Sequence, residues 1–293
     1  MLKHLRLNEY KVLLYRIVLA YAFYFLARIL FYAFNAKLLK VDSVVDLLPL
    51  CYYGLAFDTT AILYVNLLFI VLSVLPFRKN ASQGYQKFLA ILYFATNLTA
   101  YATNFIDFIY YQYTYARTTI VALNVLEHET NKTTLFLSFL VDFWYVFLLF
   151  FVCAGLWIWL YRKIQVQAFR PSNKLQYFGF SIVGFLFVAA MIVGGIRGGD
   201  FSKATRPINI LDASRHVKNV VHADIVLNTP FAIIRTLFTN SFQKTNYPEL
   251  TPQLILQKVQ PIKQYHNNPP TKPNVVIFIL ESYGREYIGA FNK

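Results

Sequence analysis

The sequence predicts an all-α polytopic membrane bundle of five transmembrane helices, followed by membrane-lying helices and the first β-strand of an α/β domain. Three observations predict it. Hydrophobic residues make up 57% of the chain and charged residues only 14%, against about 45–50% and 25% in soluble domains. The apolar residues are gathered into separate runs, each offering the roughly 20 residues a helix needs to cross a hydrocarbon layer. Lys and Arg stand at the ends of these runs and alternate in abundance from loop to loop, the distribution that sets orientation during insertion.

The runs cover residues 11–34, 47–75, 88–111, 135–161 and 177–193, within a transmembrane domain of residues 1–193. Aromatic side chains such as Tyr110, Tyr111, Trp144, Trp157 and Trp159 crowd their ends, as suits rings that favour the headgroup level. The first run carries Arg16 and Arg28 and has no small-residue cleavage site, so it reads as a retained anchor rather than a signal peptide. Lys3, Arg6 and Lys11 precede the first run; Arg78, Lys79 and Lys87 follow the second; Arg162, Lys163, Arg170 and Lys174 follow the fourth. The alternate loops hold only Lys37, Lys40, Arg117 and Lys132, beside Asp42, Asp46, Glu127 and Glu129. The N-terminus is therefore expected inside and everything after residue 193 outside.

The formal net charge is +14, which raises nucleic acid as a partner. The basic residues cluster at the ends of apolar runs, with no basic helix and no RNA-binding signature, so membrane lipids are the expected partner and nucleic acid is not. Cys51 and Cys153 both fall inside apolar runs and read as small core residues. The five histidines are scattered, and the nearest pair, His216 and His222, lacks the spacing of four that puts two ligands on one helical face.

Beyond residue 193 the character changes. Gly194, Gly195, Gly198 and Gly199 bracket Arg197 and open a juxtamembrane region, residues 194–246. Within it, residues 213–237 mix His216, Lys218, His222 and Arg235 with Val, Ile, Leu and Phe, interrupted by Pro230. Two readings fit: short amphipathic helices on the outer membrane face, or a helical connector packed on the spans. Residues 247–273 are rich in Pro and Gln and read as a linker. Residues 274–281 form a continuous apolar run of β-branched character ending in Glu281, as in a buried parallel strand. In such sheets ligands bind beyond the carboxyl ends of the strands, so Glu281 stands where a metal or phosphate would sit. Residues 274–293 are expected to be the start of a domain whose remainder lies beyond Lys293.

The segment Lys272-Pro273-Asn274-Val-Val-Ile-Phe-Ile-Leu-Glu281-Ser282-Tyr283-Gly284 resembles the first strand of the lipoteichoic acid synthase/sulfatase family, in the alkaline phosphatase superfamily. Tyr53-Gly54-Leu55-Ala56-Phe57-Asp58, Asn104-Phe-Ile-Asp107-Phe-Ile-Tyr110-Tyr111, Arg197-Gly198-Gly199 with Arg206-Pro207, and Leu227-Asn228-Thr229-Pro230-Phe231 resemble the membrane part of bacterial members. The resemblance implies an alkaline-phosphatase-like catalytic domain and a multi-pass protein of the plasma (inner) membrane, with a cytoplasmic N-terminus and an extracytoplasmic C-terminus. It assigns Glu281 as a ligand of a divalent cation, Mn²⁺ or Mg²⁺, which suits a hard carboxylate. The implied reaction is phosphoglycerol or phosphoethanolamine transfer from a lipid, or sulfatase-like hydrolysis of an ester. The family's nucleophile and other metal ligands lie downstream of the strand, so no residue here is assigned as nucleophile, and this stretch alone is expected to be inactive.

Ionisable groups inside spans are costly and are functional candidates. Arg28, Asp58, Asn104, Asp107 and Asp142 all fall in the outer halves of their spans, with Arg117 near the same level. They could form a polar cluster open to the outer leaflet, touching a headgroup or docking the catalytic domain. They could equally be structural, with an Arg28–Asp58 ion pair and interhelical hydrogen bonds fixing the bundle. A different class of function, a small transporter or membrane scaffold working through the five spans, would also use such a cluster; the broken-helix pairs and internal repeats common in transporters are not evident.

Overall fold

The computed structural model describes residues 6–77, 80–127, 132–167, 174–198, 207–237, 252–259 and 276. The chain divides into two units, Met1–Ser241 and Phe242–Lys293. The described residues are mostly helical, and no strand occurs among them.

In the first unit α1 (Leu7–Leu39) packs along α4 (Gln83–Thr114), with α2 (Val44–Val65), its continuation α3 (Leu67–Val74) and α7 (Trp144–Arg162) around them. Two short helices, α5 (Ile120–Glu127) and α6 (Lys132–Asp142), precede α7, and α8 (Lys174–Ile196) lies against α2 and α3. Among the described residues four helical segments are long and apolar enough to cross a membrane: Leu7–Leu39, Val44–Val65, Trp144–Arg162 and Tyr177–Ile196. They mark the chain as a membrane protein. The third expected span falls on the continuous helix α4, which is not among those four and which buries Asn97, Asn104 and Asp107.

The core of the bundle is aromatic. Phe23 of α1 stacks on Trp157 of α7 at 4.5 Å, and Tyr101 of α4 meets the same indole edge-on at 5.3 Å. The Trp157 Nε1–H donates to Tyr93 Oη (3.0 Å), and the Tyr93 hydroxyl donates to the Arg16 carbonyl (2.8 Å), tying α7, α4 and α1 together. Large rings supply packing area where lipid removes the hydrophobic advantage of helix association.

Polar side chains also explain where helices break. Asn66 separates α2 from α3; its Nδ2 donates to the Ile62 carbonyl and to Asn97 Oδ1, both at 3.0 Å. Asn97 Nδ2 returns a bond to Asn66 Oδ1 at 2.7 Å. The reciprocal amide pair is fully buried and joins the break to α4. Near the other end of α1, Asn35 leaves helical geometry (φ −117°, ψ 15°) and its Nδ2 donates to the carbonyls of Phe31 and Phe108.

The stretch 207–237 differs from two helices lying in a membrane plane. It consists of 3-10 turns at Ile210–His216 and Val220–His222, then α9 (Ala223–Val226) and α10 (Thr229–Thr236). Ile225, Val226, Leu227, Asn228, Thr229, Phe231 and Ala232 are all buried, against α2 and α4. The packed-connector reading is the one that matches. Asn209, Asn219 and Asn228 each start one of the short pieces by accepting a backbone N–H, Asn228 Oδ1 from Phe231 at 2.8 Å. Three caps in so short a stretch favour brief turns over a continuous amphipathic helix.

In the second unit the expected linker contains a two-turn helix, α11 (Pro252–Val259), with Pro252 in its first turn. The strand expected at 274–281 lies outside the described residues except for Val276, which is exposed and belongs to no strand.

Replacing Asn97 with Ala leaves the Asn66 amide without its interhelical partner. The expected loss is roughly 0.6–1.7 kcal/mol, read from reversible unfolding of the purified protein in mixed micelles. An unchanged midpoint would mean that the amide pair does not hold α4 to the break.

Candidate functional site

The polar residues singled out within the spans converge at the end of the bundle where α1 finishes and the 207–237 stretch enters. Arg28 is the hub. Its helix turns it toward α2, where Gly54 has no side chain: a Cβ there would overlap the guanidinium. From that position Nη2 donates to the Gly54 carbonyl (3.1 Å) and to Asp58 Oδ1. Nη1 donates to three successive carbonyls, those of Ile225, Val226 and Leu227. Ile225 and Val226 are the last residues of α9 and Leu227 is its C-cap, and carbonyls at a helix end are free for a side-chain donor. The five donors of guanidinium in a fixed fork suit this task better than an ammonium.

Asp58 is fully buried and accepts from Arg28 and from Asn228 Nδ2 (2.7 Å). Asn228 thus serves twice, capping α10 with its oxygen and engaging α2 with its amide nitrogen. The Thr229 hydroxyl donates to Asp107 Oδ2 (2.6 Å), and the Thr229 N–H donates to Asn104 Oδ1 (3.3 Å). Asp107 also accepts the Thr118 N–H and hydroxyl.

A second guanidinium closes the arrangement from the α4–α5 loop. Arg117 Nε donates to the Asp224 carbonyl (2.8 Å) and Nη2 to the Leu227 carbonyl (3.0 Å), while Nη1 lies 3.8 Å from Asp107 Oδ2. Its charged plane sits 3.4 Å from the centroid of the Phe31 ring. Burial lowers the Arg117 guanidinium to about 10, against the opposing pull of Asp107 and Asp224, so it remains a cation at neutral pH. Burial pushes the Asp224 carboxyl above the ordinary carboxylate range, opposed by Arg117 and by the hydrogen bond from Tyr111 Oη (2.9 Å).

Arg28, Asp58, Asn104 and Asp107 therefore belong to one network. Asp142 does not: it ends α6 on an exposed surface, with no bond to the others. The apolar helix α7 starts two residues later, at Trp144, so the carboxylate stands at a helix junction. Glu281, the expected metal ligand, lies outside the described residues. The residues that sequence reasoning passed over are Gly54 as a seat for Arg28, and Thr118, Asp224, Asn228 and Thr229 as partners. The Asn-Thr-Pro order was a signal for the last two, since Asn before Pro at a helix start marks an N-cap.

The 225–232 segment covers the junction, and most of its polar atoms bond to one another, while Arg28 Nε, Asp58 Oδ2 and Asn104 Nδ2 are buried without a hydrogen-bond partner. Chemically it locks three helices to a plug. Among the described residues no three His, Cys, Asp or Glu side chains form a group that could hold a metal. No family model, curated protein or solved structure matches this chain.

Removing one member of a buried ion pair strands the other charge, at about 3–5 kcal/mol. Asp58→Ala is expected to lower the unfolding midpoint in detergent and to open trypsin cleavage after Arg235, which is half-buried in α10. Gly54→Ala should give the same protease signature without altering any charge. Wild-type cleavage rates in both variants would mean that the plug is held by apolar packing alone.

Proposed function

We propose that this chain is the membrane anchor, and the start of the catalytic domain, of a metal-dependent enzyme of the lipoteichoic acid synthase/sulfatase type. The enzyme would act at the outer membrane face, as a phosphoglycerol or phosphoethanolamine transferase or a sulfatase-like hydrolase. The convergence of three separate stretches supports this reading. Residues 53–58, 104–111 and 227–231 carry the resemblance in the membrane part, and their Gly54, Asp58, Asn104, Asp107, Asn228 and Thr229 meet in one junction. A chance likeness has no reason to fall on residues that are distant in sequence and bonded in space.

In this reading α4 is a fifth crossing beside the four more apolar ones. Its 32 residues give a length of about 48 Å, and Phe88, Ile91 and Ile106 make its exposed side apolar. Five crossings with Lys and Arg in the loops on the α1 side put the N-terminus in the cytoplasm and the junction on the outer side. The junction fixes α10, so the chain that follows leaves the bundle from a set point. Tethering a catalytic domain there raises the effective concentration of lipid-linked substrate. The chain's own share of a metal site is Glu281, and a bound divalent cation supplies activation of a hydroxyl nucleophile and neutralisation of phosphoryl charge.

Sequencing the reading frame downstream of the Lys293 codon tests this directly. The expected result is a few hundred further residues that supply a Thr, Ser or Cys nucleophile on the next helix, and additional Asp and His ligands. In that protein Glu281→Gln should abolish metal-dependent release of the lipid headgroup, with unfolding of the membrane part unchanged. A stop codon directly after Lys293 overturns the enzyme reading.

A further inference from the structure

Among the described residues four arginines of the first unit are buried, and three of them have an acidic partner. Arg6 pairs with Glu9, Arg28 with Asp58, and Arg117 faces Asp107. Arg16 is the exception. It is 5% exposed, within the apolar body of α1, and no carboxylate among the described residues lies within ion-pair distance of it. Its Nη2 donates to the neutral Gln86 Oε1 (3.1 Å), its plane lies 4.2 Å from the Tyr161 ring centroid, and its Nε has no partner. Glu9, one of the residues near it, is already occupied by Arg6 and Asn80. A buried cation at membrane depth without an anion is costly and points to a missing partner.

Arg16 lines a groove of about 1030 Å³ between α4 and α7, on the side of the bundle where those helices start and finish respectively. The size is at the upper end of small-molecule sites, which run to roughly 1,000 Å³. Lys87 and Arg162 join Arg16 in its polar part, and among the described residues no Asp or Glu lines it. Along α4 the lining then turns apolar, through Ala90, Ile91, Phe94 and Leu98. These positions recur at the three-to-four spacing of one helical face. From Lys87 to Leu98 the face extends about 16 Å along the axis. Arg16 is twelve residues from Arg28 on α1, about 18 Å away along the helix, so this groove is separate from the closed junction.

We propose that the groove binds an anionic phospholipid. Its phosphate lies against Arg16, Lys87 and Arg162, and an acyl chain lies along the Ile91–Leu98 face of α4. The phosphate supplies the negative charge that Arg16 lacks, and the apolar extension selects a lipid over a soluble anion. Lys163, held 3.7 Å from the Trp159 ring centroid, stands at the same end of α7, where Trp and Lys anchor helices to the headgroup layer.

Native mass spectrometry of the purified chain tests this, with phosphatidylglycerol, phosphatidylcholine of the same acyl chains, and inorganic phosphate as probes. Phosphatidylglycerol is expected to be retained at least ten-fold better than phosphatidylcholine and to raise the unfolding temperature, with inorganic phosphate giving neither effect. Arg16→Gln should erase the preference and Arg16→Lys should restore part of it. Should Arg16→Gln fail to fold, the exposed pair Lys87→Gln with Arg162→Gln and the groove-filling Ala95→Trp carry the test, each reducing retention several-fold. Equal retention of the two lipids, or wild-type retention in the double and Trp variants, overturns the proposal. Stabilisation by inorganic phosphate equal to that by phosphatidylglycerol also overturns it, in favour of a free-anion site.

Discussion

The Arg28 guanidinium holds the far end of the bundle together. It comes from α1, rests where α2 lacks a side chain, pairs with Asp58, and caps three carbonyls of the segment that enters nearly two hundred residues later. All three carbonyls stand at a helix end, where backbone acceptors need a donor from elsewhere, and the Leu227 carbonyl is shared with Arg117. Arg117 repeats the arrangement from the other side. The plug can therefore be irregular in backbone at membrane depth, because two forks of donors stand in for the missing helical bonds.

The bundle shows two ways of using polarity inside an apolar medium. In its middle, neutral groups suffice: the Asn66–Asn97 amides and the Tyr93–Trp157 pair bind helices without any charge. At its end, where a separate segment has to be gripped, ions take over. Neutral bonds between spans contribute little each, whereas breaking a buried ion pair is costly. The division places the weaker bonds where packing already holds the helices and the stronger ones where a loop-like segment has little packing of its own.

Much of this was legible in the sequence, because hydrophobic run length is a coarse signal that membranes enforce strictly. The helices α1, α2 with α3, α7 and α8 fall where the apolar runs are. The grouping of Arg28, Asp58, Asn104 and Asp107 was legible as well, since charges in spans are rare enough to be paired by level alone. Asp142 shows the limit of that reasoning: level along a span says nothing of which side of the helix a residue occupies or where the helix starts. The plug was harder to read. Its composition is amphipathic, and composition does not separate a segment lying on a membrane from one inserted between helices. The deciding information lies in three capping asparagines and in carbonyl groups, and carbonyls leave no trace in a sequence.

The long reach of Arg28 sets a timetable for biogenesis. The Gly54 carbonyl and its aspartate arrive within 30 residues of it, but the Ile225 carbonyl arrives only 197 residues after it. At the usual ribosomal pace of about 5–20 residues per second, that interval is roughly 10–40 s. Through all of it the first two helices wait in the membrane with part of a guanidinium unsatisfied, and Asp107 waits likewise for Thr229. The finished bundle is thus assembled late, and its early helices depend on the insertion machinery until the plug is made.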